Sequence, residues 1–290
     1  YIVESNRKVI WTLHDCWSFT GHCAHFDYIG CEKWREGCYK CPQLLEYPKS
    51  LIFDRSKEAY EDKKRIFNEV QDMVLVTPSE WLASLVKQSF LKEYPIKVIN
   101  NGIDLNVFRP KDNEIRRKYN LDDKFVILGV TNVWEEKKGY NYFVNLSKKI
   151  TDNEVIIMVG LTEQQIKQLP PNIIGIKRTS SVSDLADIYS LADVFINPTL
   201  EDNFPTTNLE ALACGTPVIT FNTGGSSESI NDQTGITISK GNFNELIEAI
   251  KMVERNGKTY YSRYCVERAR KNYSKDQKFR EYIKLYKMAF

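Results

Sequence analysis

An α/β protein of two domains, each built on a parallel sheet, is predicted by three observations. From residue 125 onward, short runs rich in Val, Ile and Phe alternate with amphipathic helical patterns, as parallel strands covered by helices require. A charged, Pro-containing stretch, residues 106–124, separates that alternation from an earlier one. At 290 residues the chain also exceeds the usual size of one domain.

In order along the chain, Val9 to Leu13 reads as a buried strand ending at His14 and Asp15. Residues 16–50 have no clean period and are rich in Cys, Gly, aromatics and charge, so a long irregular insertion is expected. A charged helix follows from Ser56 to Asn68, then the strand MVLVTPS (73–79) and a helix capped by the Ser79 hydroxyl. The strand IKVINNGID (96–104) closes this part, and the linker carries one helix. Beyond it come FVILGV, a helix over 139–150, EVIIMVG, IIGIKR, a helix in VSDLADIYSLA and VFINP. The helix NLEALACG, the strand PVITF and a helix over 243–256 complete a Rossmann-like pattern. Tyr273, Phe279, Tyr282 and Tyr286 form one packing stripe in the helical end. The predicted domains are 1–104, with the insertion 16–50, then 105–272, with residues 273–290 as a helix returning to the first domain.

Composition excludes some functions. Forty Lys+Arg nearly balance 38 Asp+Glu, for a formal net charge of +2, so no nucleic-acid partner is expected. No apolar run approaches the ~18 to 20 residues that span a bilayer, and no secretion signal opens the chain, which predicts a cytoplasmic location.

The segment NPTLEDNFPTTNLEALACGTPVI (197–219) carries the clearest chemistry. Glu201 and Asp202 lie in a loop after a strand, Asn203, Phe204, Pro205, Thr206 and Thr207 lead into a helix, and Glu210 sits in its first turns. Free N–H groups around Thr206 to Asn208, with the helix dipole, suit a diphosphate, while carboxylates accept hydrogen bonds from sugar hydroxyls. Glu201 and Asp202 as simple helix caps are the competing reading.

This segment resembles the acidic signature of the retaining GT-B glycosyltransferases of family GT4, in which two glutamates with seven residues between them precede a Gly-Thr-Pro-Val strand entry. Here the first glutamate position falls on Asp202, with Glu201 just before it. TPSEWLA (77–83), VINNGIDLNVFRP (98–110), LADIYSLADVFINPT (185–199) and FNTGGSSESI (221–230) are similar to other segments of that family, so the likeness runs along nearly the whole chain.

The resemblance implies a GT-B fold of two Rossmann-like domains. It also implies that the N-terminal domain is incomplete, because only 13 residues precede His14. An incomplete sheet would expose an edge, which predicts homo-oligomerisation. By the same resemblance the loop GVTNVWEEKKGY (129–140), with Asn132, Lys137 and Lys138, meets the donor diphosphate. Lys138 matches the family lysine, whereas Val133 stands where the family has arginine. His14 matches the histidine near the donor sugar, against a purely structural strand-end histidine. The implied activity is transfer of a hexose from a nucleotide-diphosphate sugar to a polysaccharide or lipid-linked oligosaccharide, with retention and no catalytic metal. His14, Lys138, Asp202 and Glu210 are its catalytic candidates, and peripheral association with the membrane's inner face is expected. The alternatives are a non-catalytic nucleotide-sugar or metal-binding module, or a GT-B phosphorylase or epimerase.

Five of seven cysteines lie in residues 16–41. Cys23, Cys31, Cys38 and Cys41 have a spacing that can enclose a structural zinc; a reduced thiol cluster or a disulfide pair is the competing reading. His22 and His25 are candidates to replace one cysteine or to line the acceptor side.

Overall fold

The computed structural model describes every residue except 1, 6, 112–115, 118 and 290. The chain divides into two compact units. The first comprises Tyr1–Asn100, Glu201–Phe204 and Lys278–Phe290; the second comprises Asn101–Leu200 and Pro205–Gln277. The division thus falls at residue 100 and not at 104. Ile103 N–H donates to the Tyr273 carbonyl (2.8 Å), Ile103 bridges Ser274, and Lys275 pairs with Asp104, so residues 103–104 are sewn into the second unit.

In the first unit, a short helix α1 (Ile2–Ser5) precedes β1 (Val9–Thr12), α2 (Ser56–Asn68), β2 (Met73–Thr77), α3 (Glu80–Val86) and β3 (Ile96–Val98). The strands form a parallel sheet in the order β1-β2-β3. Ser79 caps α3, its hydroxyl accepting from Leu82 N–H. The strand expected over 96–104 stops at Val98. The insertion holds two 3₁₀ turns, Trp17–Phe19 and Lys33–Arg35, and its aromatics supply its order: Phe26 stacks on Trp34 with Phe19 edge-on, continuous with the Leu75, Leu82 and Val86 core. Lys63 of α2 is buried beneath it, donating to the Trp17 (2.6 Å) and Thr20 (2.9 Å) carbonyls.

The second unit holds β4 (Phe125–Val130), α4 (Tyr140–Leu146), β5 (Glu154–Val159), α5 (Glu163–Lys167), β6 (Ile173–Ile176), α6 (Val182–Leu191) and β7 (Val194–Asn197). It continues with α7 (Thr206–Ala213), β8 (Val218–Phe221), β9 (Gly235–Ile238), α8 (Phe243–Asn256) and α9 (Lys258–Asn272). Its six strands are all parallel in the order β6-β5-β4-β7-β8-β9. The chain therefore winds outward from β4 in one direction and then from β7 in the other, which leaves a crevice at the carboxyl ends of β4 and β7. The Asp193 carboxylate fixes the start of β4, accepting from Val126 N–H and from Arg116 at 2.6 Å.

A last helix, α10 (Lys275–Ala289), follows a break at Tyr273 and Ser274. The expected aromatic stripe is not continuous. Tyr273 lies before the helix, buried with its hydroxyl donating to the Ser229 carbonyl, while Phe279 and Tyr286 are exposed and the Tyr282 hydroxyl lies 3.2 Å from Thr12. The linker helix expected between Asn106 and Lys124 lies mostly outside the described residues. Among the described residues, no helix is long and apolar enough to cross a membrane.

Candidate functional site

At the carboxyl ends of β4, β5 and β6 the second unit has a cavity of ≈ 800 Å³. Thr131, Asn132 and Gly160 form part of its wall, and Lys177, Arg178, Ser180 and Ser181 contribute cations and hydroxyls. Gly160 is required here: its φ is +99°, and a Cβ would fall 1.6 Å from the Thr131 carbonyl oxygen. Asn132 was expected in the site. Lys177, Arg178 and the serines were not, because nothing marks IKRTSS as a motif until β6 brings it beside β4 and β5. Lys177 also pairs with Glu163 at 2.6 Å.

The loop after β4 is braced from inside. Buried Trp134 donates from Nε1 to the Val159 carbonyl (2.9 Å), and Gln165 Nε2 donates to the Trp134 carbonyl (3.0 Å). The 3₁₀ turn Glu136–Lys138 ends on Gly139 at φ +84°, where a Cβ would meet Pro198 at 2.5 Å. Leu200 N–H donates to the Lys137 carbonyl (2.7 Å), so the lysine-bearing loop after β4 is tied to the loop after β7. Lys137 and Lys138 are half-buried, and Val133 is exposed.

The helix α7 begins at Thr206, two residues earlier than expected, with Pro205 at its N-cap and no side-chain cap. Thr206 is exposed and Thr207 half-buried. Asn208 N–H is not free as expected: it donates to the Pro205 carbonyl at 3.3 Å. Asn208 instead anchors a buried network. Its amide nitrogen reaches Ser226 and Ser229, and its oxygen accepts from Asn197 at 2.9 Å, which locks the GGSSES loop to the helix. Glu210 is oriented by the buried Tyr189 hydroxyl, which donates to it at 2.9 Å. Burial pushes the Glu210 carboxyl above its usual range, with the Tyr189 and Thr206 hydrogen bonds partly opposing this.

The first unit contains the other candidates. His14 is exposed at the end of β1, and its carbonyl accepts from Asn203 Nδ2 at 2.8 Å. The buried Ser79 hydroxyl donates to Asn203 Oδ1 at 2.5 Å. Asn203 is thereby a positioning group. Asp202 accepts from Asn203 N–H, and buried Glu201 accepts from Tyr28 N–H at 3.0 Å, tying its loop to the insertion. Phe204 is buried. The structure thus gives Glu201 a structural partner that sequence spacing did not suggest.

Cys23, Cys31, Cys38 and Cys41 line one small void together with His22 and Trp34. All four are free thiols. Burial first, then the neighbouring thiols, pushes Cys23 up to about 12. Among the described residues, no group of three or more His, Cys, Asp or Glu side chains stands in a geometry that could hold a metal ion.

The family model described as Glycosyl transferases group 1 matches residues 124–256. The matched segment, most of the second unit, is thus similar to group 1 glycosyltransferases, and the fold is of the GT-B type. Among curated relatives, the chain is 25% identical to an Escherichia coli K12 protein, WcaC, named for colanic acid biosynthesis as a glycosyl transferase, over 96% of this chain and 68% of that one. It is 30% identical to the Staphylococcus aureus capsular polysaccharide biosynthesis glycosyltransferase CapM, over 58% of this chain and 48% of the relative. The chain thus spans about half to two thirds of these relatives. Among solved structures, Anabaena HepE in complex with UDP superposes with a TM-score of 0.74 at 16% identity, covering 98% of this chain and 73% of that one. Sucrose-phosphate synthase from Thermosynechococcus elongatus gives 0.70 at 20% identity, with 86% and 66% covered. At these identities the structural likeness speaks to the fold.

Proposed function

We propose that the protein transfers a hexose from a nucleotide-diphosphate sugar to a polysaccharide or lipid-linked oligosaccharide, with retention of anomeric configuration. The carrying observation is the cavity at the carboxyl ends of β4 to β6, next to the crevice where the Lys137–Lys138 loop meets the loop after β7. Ligands of open parallel sheets bind at such a switch point. Asn132, Arg178, Ser180 and Ser181 offer donors and acceptors for a nucleoside, and Val182 offers an apolar wall. HepE in complex with UDP supports uridine diphosphate as the first nucleotide to test. The names of WcaC and CapM support a surface-polysaccharide acceptor.

In this reading the acceptor hydroxyl attacks the anomeric carbon as its bond to the diphosphate oxygen breaks, and the hydroxyl proton passes to the departing diphosphate. Negative charge then grows on the leaving group. Lys138, helped by Lys137 and by the N–H groups at the start of α7, stabilises that charge. Glu210, held by Tyr189, accepts hydrogen bonds from the donor sugar, and the resemblance adds Asp202 and His14 as further catalytic candidates. No metal takes part in the transfer, and the enzyme works at the inner membrane face as a peripheral protein.

Incubation with UDP-, GDP- and ADP-hexoses and a polysaccharide or lipid-linked acceptor tests this, with the anomeric configuration of the product read by NMR. Transfer with retention is expected; an inverted product, or no turnover of any donor by folded protein, contradicts it.

A further inference from the structure

We propose that Cys23, Cys31, Cys38 and Cys41 bind one Zn²⁺ as four thiolates, and that this ion fixes the fold of the insertion. The four side chains come from three separate stretches of a segment with only two 3₁₀ turns, yet they line one void of ≈ 10 Å³, room for about one water-sized sphere. An ion fits such a space, and an organic ligand does not. Sulfur-only, tetrahedral coordination at about 2.3 Å is the usual form of a structural zinc.

Burial favours the neutral thiols in the absence of a cation, and backbone N–H groups reach two of the sulfurs. Gly21 N–H donates to Cys38 Sγ at 3.1 Å, and Gln43 N–H points to the Cys41 sulfur. Backbone N–H groups aimed at sulfur are the outer support that zinc thiolates use. Asp54 fixes the Cys41 backbone, accepting from its N–H at 2.8 Å. Trp34, 1% exposed, lines the same void with its Nε1 buried and without a hydrogen-bond partner, and His22 Nε2 is in the same condition. A buried unpaired donor is destabilising, and an anionic thiolate acceptor would offset that. Four thiolates on a dication leave a charge of −2. Lys33 borders the void, and the Lys63 ammonium interacts with Cys38 and Cys23, so two cations stand against it.

Binding releases four thiol protons as four Zn–S bonds form. Tetrahedral coordination also requires the four sulfurs to close in on one point, which couples metal to local folding. The site is structural and independent of the transfer reaction.

Elemental analysis of the protein purified without chelator tests this. One zinc per chain is expected, and cobalt exchange should give a thiolate-to-cobalt charge-transfer band. Cys41→Ser should lose the ion or bind it at least tenfold more weakly, whereas His22→Gln should keep it. If Cys41→Ser fails to fold, the cobalt spectrum of the unaltered protein decides. Folded, metal-free protein that takes up no cobalt, or a mass lower by four hydrogens from two disulfides, overturns the proposal. Loss of metal in His22→Gln with retention in Cys41→Ser also overturns it.

Discussion

The side-chain amide of Asn203 donates to the His14 carbonyl at 2.8 Å, although the two residues stand 189 positions apart in sequence. The same amide accepts from Ser79, whose oxygen accepts from Leu82 N–H, so helix α3, the acidic loop and the end of β1 share one chain of hydrogen bonds. Asn203→Ala leaves the buried Ser79 hydroxyl and the His14 carbonyl without these partners. A loss of about 1–3 kcal/mol in urea unfolding is expected, with transfer activity falling further than donor affinity.

Gly139 sits at φ +84° against Pro198. Gly139→Ala combines a left-handed backbone with a Cβ overlap, so the 3₁₀ turn bearing Lys137 and Lys138 must shift. A destabilisation of about 1–3 kcal/mol and weaker nucleotide binding are expected. Unchanged calorimetric affinity would show that this turn does not position the donor.

Lys63 is 8% exposed, holds two backbone carbonyls and stacks over Trp17 with Nζ 3.5 Å from the ring centroid. Burial lowers its ammonium to about 8, a cost offset by these contacts. Lys63→Ala removes both donors, and about 2–4 kcal/mol of stability should go with them. Protease cleavage within residues 16–50 should accelerate in step.

Burial raises both the Cys214 and Cys265 thiols from 9.0 to about 12. The unfolded thiols ionise first, so their contribution is fully present below pH 9 and is lost as pH rises toward 12. Each thiol should steepen the fall of unfolding free energy by up to roughly 1.4 kcal/mol per pH unit in that window. Cys265→Ala should flatten the slope between pH 9 and 10.5, measured by chemical denaturation.

The legible parts of the fold were those with strong local signals. Phe125–Val130 and Glu154–Val159 are unbroken apolar runs, and Ser56–Asn68 is a charged, amphipathic helix. Strand β9 was missed because GITI is short and begins with Gly235, where a Cβ would fall 2.0 Å from the Val218 carbonyl oxygen. Helix α5 was missed although Thr162 and Gln165 form a capping box, a signal the sequence does contain. In the candidate site, motif and element coincide at Glu210, within α7, and at Lys138, in the turn before Gly139. Lys177 and Arg178 were silent because only strand order brings them to the cavity, and the Glu201 to Tyr28 bond spans 173 residues. Such pairings are decided by tertiary packing and leave no local pattern.

In the proposed reaction Lys138 holds the donor diphosphate. Calorimetric titration of UDP and UMP into the protein and Lys138→Ala tests it most directly. The substitution should weaken UDP binding about tenfold or more, the worth of one charge-assisted hydrogen bond, and leave UMP binding within about twofold. Equal UDP affinity in the two proteins, or the same loss for UMP as for UDP, would contradict it.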